Sequence, residues 1–348
     1  MKKVIVLILL LCFATCKASA AELNFTAPPV PEVGEEFLIG EPENFLDGLR
    51  SILKEALAYI YPAFTEAAGI CTRVIGIMII LSVIDCYTDM SKNIVRLIGV
   101  ISLSICFLSA TRALIPLGEE TIHNLTSYGR LLLPVMTGAL AAQGYAATSG
   151  GLYIGTAFFD TVLSSAIARF ILPAIYAFCA LSVADRALGE RTVGKIKDSL
   201  KSAVIWILKI ILYIFTGYMT ISGAVSGSTD ALAMKAAKLT ISGMVPVVGG
   251  VLSDASEAVL VSSAIIKNAA GIYGILAILA IAVGPFIRLG AQYLLTKLTA
   301  SIAGAFGPKE LYGLIQDFSS AMGLVLAITA AVSLMLLIST VCFMKVMP

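Results

Sequence analysis

The chain has 348 residues, of which 59% are hydrophobic and only 13% are charged, and its mean hydropathy is +0.96. Soluble domains carry about 25% charged and about 45–50% apolar residues, so this composition excludes an ordinary soluble domain and indicates a membrane protein. The net charge of +2 provides no strong global field, so nucleic acid is not an expected partner whereas the lipid bilayer is.

The first twenty residues have the three parts of a secretory signal peptide. Lys2 and Lys3 precede an apolar run over 4–14, and the small residues Ala18 and Ala20 follow it. A run of about eleven apolar residues is short for a membrane span, which needs about 20. We therefore predict cleavage after Ala20 and a mature N-terminus on the extracytoplasmic side. An uncleaved first membrane helix is the alternative.

The next segment, residues 21–66, is acidic, because it holds nine Asp and Glu side chains against two basic ones. The cationic excess of the chain lies after it. Within this segment, the spacing of apolar residues over 44–61 predicts an amphipathic helix that lies at the membrane surface or on a partner.

The remaining apolar stretches predict an all-α, polytopic membrane protein with about six full spans. We place a first hairpin and loop at 67–130, with spans at about 67–84 and 95–113, one span within 131–183, and further spans at 203–223, 270–287 and 322–343. Two stretches near 131–150 and 244–255 are predicted to be broken or re-entrant helices. The residues expected to break them are Pro134, Gly138, Pro246, Gly249 and Gly250.

The orientation follows from the basic residues. A loop predicted at 184–202 has the densest cationic cluster in the chain, formed by Arg186, Arg191, Lys195, Lys197 and Lys201. Basic loops remain in the cytoplasm, so we predict that this loop is cytoplasmic and contacts a cytoplasmic partner. Arg288, Lys297 and Lys309 predict a second cytoplasmic loop between the last two spans.

Two pairs of segments suggest an internal repeat. Residues 133–140 resemble 245–252 at an offset of 112 residues, and 196–203 resemble 315–321 at an offset of 119. We predict parallel membrane repeats at 131–225 and 238–343, an organisation found in transporters. Parallel repeats require an even number of spans in each copy. The predicted spans and the orientation given by the charges place two in each. Coincidence between two low-complexity apolar sequences is the alternative.

Several charged residues fall within or beside apolar stretches, where they are costly unless paired or functional. Asp254 and Glu257 lie on one helix face, so either could neutralise Lys209 across the interface between the repeats. A polar pathway for an ion or small solute is the equally weighted alternative. The candidate residues for this interface or pathway are Lys209, Asp254, Glu257, Asp160 and Arg169.

Motifs of enzymes are missing from the sequence. The single histidine, His123, excludes a His-Glu-x-x-His site, and neither a nucleotide-binding loop nor a Gly-x-Ser-x-Gly turn is present. The seven cysteines form no Cys-x-x-Cys pair. We therefore predict a protein that is not an enzyme, with no catalytic residue, cofactor or metal site.

The segment 235–255, which includes Val-Pro-Val-Val-Gly-Gly at 245–250, and its continuation at 262–271 resemble the stage III sporulation protein AE family of endospore-forming bacteria. The signal peptide, the acidic segment and Leu-Pro-Val at 133–135 also fit, and the resemblance covers about 40–345. It implies a multi-pass protein of the mother-cell membrane around the forespore. Its implied partners are other stage III sporulation proteins, including a cytoplasmic ATPase-like member and ring-forming members, in an assembly that resembles a channel.

Three functional hypotheses result. The first is a non-enzymatic membrane component of a sporulation channel that links mother cell and forespore. The second is a secondary transporter that acts alone on a small solute or ion, which the repeat and the broken helices would suit equally well. The third is a membrane scaffold whose acidic N-terminal segment recruits extracytoplasmic ring proteins.

Overall fold

A computed structural model gives the fold of most of the chain. It describes residues 28–29, 31–35, 37, 45–87, 92–189, 191–244, 249–306 and 308–345. Within these ranges, side chains are described except at 32–33, 85–87, 92–93, 191, 223–269, 306 and 309.

The described residues form helices and no strand. The helices are α1 (Glu32–Glu35), α2 (Phe45–Tyr87), α3 (Lys92–Ala142), α4 (Ala146–Ala166), a π-helical segment (Ile167–Ile171), α5 (Leu172–Leu188), α6 (Arg191–Met244), α7 (Gly249–Phe306) and α8 (Lys309–Lys345). Helix α4, the π-helical segment and α5 follow one another without interruption, so they count as one span. Six spans within the described part of the chain are long and apolar enough to cross a membrane, which confirms the predicted fold class.

The helices are much longer than the predicted spans. Helix α3 has 51 residues, which corresponds to about 77 Å, whereas the hydrocarbon core of a bilayer is about 30 Å thick. The loop predicted to end at residue 130 is therefore wrong, because residues 114–130 continue α3. Polar residues such as Glu119 and Glu120 ended the apolar stretch but do not end a helix, since glutamate is a good helix former.

The predicted amphipathic helix at 44–61 is also not a separate element. Helix α2 runs through it, through Pro62 and into the first span. Its apolar residues lie on two faces, because Ile52 and Ala56 are buried while Leu53 and Leu57 are exposed. The mixed pattern therefore reflects one face that packs on the bundle and another that remains uncovered.

The predicted break at Pro134 and Gly138 is not observed, since both residues lie inside α3. The chain instead reverses after Ala142, where Gly144 has a φ of 92°. Glycine adopts this left-handed conformation without a side-chain penalty, which places the turn there. Residues 131–150 are thus a helix end, a turn and a helix start. At the second predicted break, Gly249 and Gly250 begin α7, and Pro246 lies outside the described residues.

The two predicted cytoplasmic loops are mostly helical. Helices α5 and α6 are separated only at 189–190, where Gly189 has a φ of 71° and its N–H donates to the carbonyl oxygen of Asp185 at 2.9 Å. Arg288 and Lys297 lie inside α7, and the link to α8 is at 307–308. The basic residues therefore belong to helix ends and helix faces.

Short links make consecutive helices antiparallel. We call the end of the bundle at which α2, α5 and α7 finish and α3, α6 and α8 begin the proximal end. Helices α7 and α8 are central, because 61% of an apolar stretch of 18 residues in each is buried, against 22% for the corresponding stretch of α6. A typical core contact is the stacking of Phe107 from α3 on Phe318 from α8, with ring centroids 4.6 Å apart. The polar groups described below are arranged around this core.

Candidate functional site

Four charged side chains meet at the proximal end of the bundle. Lys197 Nζ on α6 lies 2.7 Å from Asp317 Oδ2 on α8 and 3.0 Å from Asp185 Oδ2 on α5. Arg186 Nη2 lies 3.1 Å from the same Asp317 oxygen. We call these four residues the proximal ion cluster. It contains two positive and two negative charges, so it is neutral as a whole.

The local backbone explains why these residues meet. The left-handed turn at Gly189 returns the chain so that α6 packs beside α5, and Lys197 then faces Asp185. Glycine also provides room: a Cβ at Gly194 would lie 2.9 Å from Asp185 Oδ1, and one at Gly313 would contact the Arg186 guanidinium group.

Further polar contacts at this end join α6 to α8 and α3 to α5. Lys201 Nζ donates to Ser320 Oγ at 3.0 Å, and Arg96 Nη2 donates to the carbonyl oxygen of Ala187 at 3.5 Å. The second contact places a positive charge at the C-terminus of α5, where the helix dipole favours one. Four helices that start or finish at this end, α3, α5, α6 and α8, are therefore joined to one another by charged groups.

Burial makes the proximal ion cluster a structural element. The Lys197 side chain is 3% exposed and that of Asp317 is 14% exposed. When one partner of a buried ion pair is removed, a charge remains without compensation, which costs about 3–5 kcal/mol. The cluster therefore fixes the positions of α5, α6 and α8 relative to one another.

This result changes the predicted partner surface. Of the five basic residues expected to contact a cytoplasmic partner, Arg186 and Lys197 are paired inside the bundle and Lys201 contacts Ser320. Lys195 is exposed, and the side chain of Arg191 is not among those that the structure describes. A cluster of basic residues in the sequence does not show which cations are free to bind a partner protein. A cation can instead be paired with a carboxylate more than a hundred positions away in the same chain.

A second polar region lies between α2, α3 and α7, about 20 residues from their proximal ends. Arg288 Nη2 donates to both carboxylate oxygens of Glu66, at 2.8 and 3.1 Å, and the Glu66 and Arg288 side chains are 54% and 35% exposed. This ion pair lines a cavity of about 240 Å³, which we call the mid-bundle cavity. The other polar side chains that line it are Arg73, Ser109 and Gln292.

The sequence pattern does not predict the mid-bundle cavity. Glu66 belongs to the predicted acidic N-terminal segment and Arg288 to a predicted loop, and the two residues are 222 positions apart. Small residues that also line the cavity, including Ala63, Ala67 and Ala110, make room for it. The spacing of Ala63 and Ala67 on one helix face was the available signal, but it is common in apolar helices.

The predicted interface or pathway residues are dispersed. Asp160 on α4 is 5% exposed, and its Oδ1 has no hydrogen-bond partner among the described residues. Arg130 and Thr126 on α3 lie near the Asp160 carboxyl group, and Ser164 Oγ lies 3.3 Å from Thr126 Oγ1. Arg169, on the π-helical segment, is exposed. Asp160 and Arg169 are therefore not part of one polar site with either of the regions described above.

Lys209 on α6 is exposed. The side chains of Asp254 and Glu257 on α7 lie outside the description, so their pairing with Lys209 stays a prediction. No group of three or more potential metal ligands occurs among the residues searched in the described part of the chain.

Comparison with known proteins decides the family. The family model described as Stage III sporulation protein AE matches residues 42–346. The chain belongs to the stage III sporulation protein AE family. This family match and the six apolar helices agree with a multi-pass membrane protein of sporulation. The match includes both the proximal ion cluster and the mid-bundle cavity.

The chain is similar to the stage III sporulation protein AE of Bacillus subtilis (strain 168). The two are 27% identical over 237 residues, which cover 68% of this chain and 59% of that protein. The aligned part thus spans less than two thirds of the length of this relative. No solved structure matches the chain.

Proposed function

We propose that this member of the stage III sporulation protein AE family is a non-enzymatic membrane component of a channel complex that links the mother cell and the forespore. The observation that carries this proposal is the family match over 42–346 on a chain with six apolar helices. In this proposal the protein lies in the mother-cell membrane around the forespore. The proximal end is cytoplasmic and the mature N-terminus is extracytoplasmic.

The proposed partners are other stage III sporulation proteins, and the two ends of the bundle would contact different ones. Lys195 is exposed among the basic residues of the predicted cytoplasmic cluster whose side chains the structure describes, so the proximal end would contact the cytoplasmic ATPase-like member around it. The acidic segment 21–66 carries the opposite charge and would contact the ring-forming members on the other side. The proximal ion cluster supports this arrangement because it gives the partner a fixed set of helix ends.

The experiment is a charge reversal at the proximal end. In an endospore-forming host that lacks its own copy, Lys195→Glu is expected to reduce both spore yield and copurification of the cytoplasmic ATPase-like protein. Arg112→Glu is the control, since it reverses an exposed cation of α3 that lies away from the proximal end. If Lys195→Glu retained as much copurification as Arg112→Glu, the proposed partner contact would be wrong.

The transporter hypothesis predicts that spore formation depends on a buried carboxylate inside the bundle. A transporter acting alone would use a buried carboxylate such as Asp160, and Asp160→Asn would then abolish spore formation at unchanged protein level. As a channel component, the protein is expected to support spore formation with Asp160→Asn as long as it accumulates normally. Spore counts and immunoblots of the same cultures separate these outcomes.

A further inference from the structure

The mid-bundle cavity carries more positive than negative charge. Two guanidinium groups, Arg73 and Arg288, line it together with one carboxylate, Glu66. Arg73 donates its Nε hydrogen to the carbonyl oxygen of Gly69 at 3.2 Å, a bond that does not engage its two terminal nitrogens. The cavity is therefore suited to an anion, because a net charge of +1 faces a space that Arg288 and Glu66 do not fill.

The three helices that line the cavity are strongly apolar on its proximal side. Each exposes large aliphatic side chains there, and all six of the following are more than half exposed: Ile80 and Val83 on α2, Ile101 and Ile105 on α3, and Leu294 and Leu298 on α7. A soluble protein does not leave such a continuous apolar surface uncovered. In a membrane protein, acyl chains cover such a surface.

The character of the α3 surface changes at the level of the cavity. A run of large exposed aliphatic residues ends at Leu108, and the exposed residues that follow include Arg112, Glu119 and Glu120, before the next large exposed aliphatic residue at Leu131. From Ile94 to Ser109 the helix rises about 23 Å, most of the roughly 30 Å of a bilayer core. The cavity therefore lies at the edge of the apolar band, where phospholipid headgroups lie.

We propose that the mid-bundle cavity binds the phosphate of an anionic phospholipid, whose acyl chains lie along the exposed aliphatic faces of α2, α3 and α7. Guanidinium groups bind phosphate oxygens through paired, charge-assisted hydrogen bonds. Arg73 and Arg288 supply these donors, and Glu66 holds Arg288 in position through its two hydrogen bonds. The amide of the buried Gln292 is a further polar group in the lining of the cavity.

The size of the cavity agrees with this ligand. A volume of about 240 Å³ accommodates a phosphate group with several waters, each of which takes about 30 Å³. It is too small for a whole phospholipid, so the acyl chains lie outside on the apolar faces. The retained ligand is thus recognised by its phosphate and oriented by its chains.

The test is lipid retention by the purified full-length protein, measured by native mass spectrometry in a mild detergent. The probes are phosphatidylglycerol, which is anionic, and phosphatidylcholine, which is zwitterionic, added at equal concentration. We expect the protein to retain phosphatidylglycerol in preference, and Arg73→Gln to weaken this retention about tenfold, the size of one charge-assisted hydrogen bond. Arg169→Gln is the matched control, because it removes an exposed arginine that does not line the cavity.

Two further arms separate the alternatives. Glu66→Gln retains a side-chain oxygen that accepts from Arg288 and removes the negative charge, so it is expected to increase retention of phosphatidylglycerol; a decrease would overturn the proposed recognition by net positive charge. Millimolar inorganic phosphate is expected to leave the lipid bound; displacement would show that free phosphate, not a lipid, is the ligand. Equal losses in Arg73→Gln and Arg169→Gln would overturn the site, and melting temperatures verify that each variant is folded.

Discussion

The proximal ion cluster and the mid-bundle cavity both contain paired charges, but they differ in burial and in charge balance. Lys197 is 3% exposed at its side chain and belongs to a cluster of two positive and two negative groups. Glu66 is 54% exposed and faces two arginines. A buried and balanced cluster holds helices together, whereas an open and unbalanced one retains the ability to bind an external ion. Burial thus decides which charged region is structural.

The largest expected effect concerns the side of the membrane that each region faces. Gly150→Cys, near the start of α4, is expected to react with a membrane-impermeant maleimide added outside the cell, and Thr192→Cys only after the membrane is permeabilised. Thr192 is exposed and a side chain at Gly150 meets open space, so access limits neither reaction. The unsubstituted chain, with its own cysteines, gives the background. External labelling of Thr192→Cys would invert the orientation and place the proximal ion cluster outside.

The next effect tests whether the proximal ion cluster is structural. Lys197→Met leaves Asp185 and Asp317 with only Arg186, and we expect a loss of about 3–5 kcal/mol of unfolding free energy. Chemical or thermal unfolding in detergent, followed by circular dichroism, measures it. Lys195→Met is the control, because Lys195 lies two positions earlier and is exposed; it is expected to change stability by less than about 0.5 kcal/mol.

A double substitution identifies the cause of that loss. Lys197→Met together with Asp317→Asn leaves Asp185 and Arg186 as a neutral pair, so most of the lost stability is expected to return. If the double variant is less stable than Lys197→Met alone, lost packing rather than an uncompensated charge explains the effect. The proximal ion cluster would then stabilise the bundle through packing, as an apolar contact does.

An uncharged contact provides the reference for both charged regions. Gly155 on α4 packs directly against the Tyr218 ring on α6, and the Tyr218 hydroxyl donates to the carbonyl oxygen of Gly151 at 2.9 Å. Gly155→Ala is expected to cost about 1–3 kcal/mol, because its methyl group would overlap the ring. Gly150→Ala in the same helix meets open space and is expected to stabilise by up to about 1 kcal/mol. Melting temperatures of the two variants compare them directly.

The sequence was sufficient for the fold class and for the six apolar segments, because about 20 apolar residues are a strong local signal. It did not predict where the helices end. Glu119 and Glu120 lower the hydropathy of α3 without interrupting its hydrogen bonds, and Pro134 lies inside that helix. The turn at Gly144 depends on one glycine with a positive φ, which many other glycines of the chain could have supplied.

The charged sites could be predicted only in part, because charge partners are distant in the sequence. The basic residues at 186–201 were recognised, but the two aspartates that neutralise them were not, and Asp317 lies 120 positions from Lys197. The alignment of 196–203 with 315–321 had matched Lys201 to Ser320, and these two residues are in contact. A contact between matching positions is expected near the axis of a repeat, so the repeat stays a prediction with this support.

The smallest expected effect separates the two regions most directly. In a double-mutant cycle, Glu66→Gln and Arg288→Gln are expected to show a coupling of at most about 1 kcal/mol, because water and headgroups reach this half-exposed pair and screen it. The same cycle on Lys197 and Asp317 is expected to give several times more, because their side chains are only 3% and 14% exposed and solvent screens them little. Unfolding free energies of the six variants and the unsubstituted chain measure both couplings. Equal couplings would mean that the mid-bundle cavity is as closed as the proximal ion cluster, and it could then admit no phosphate.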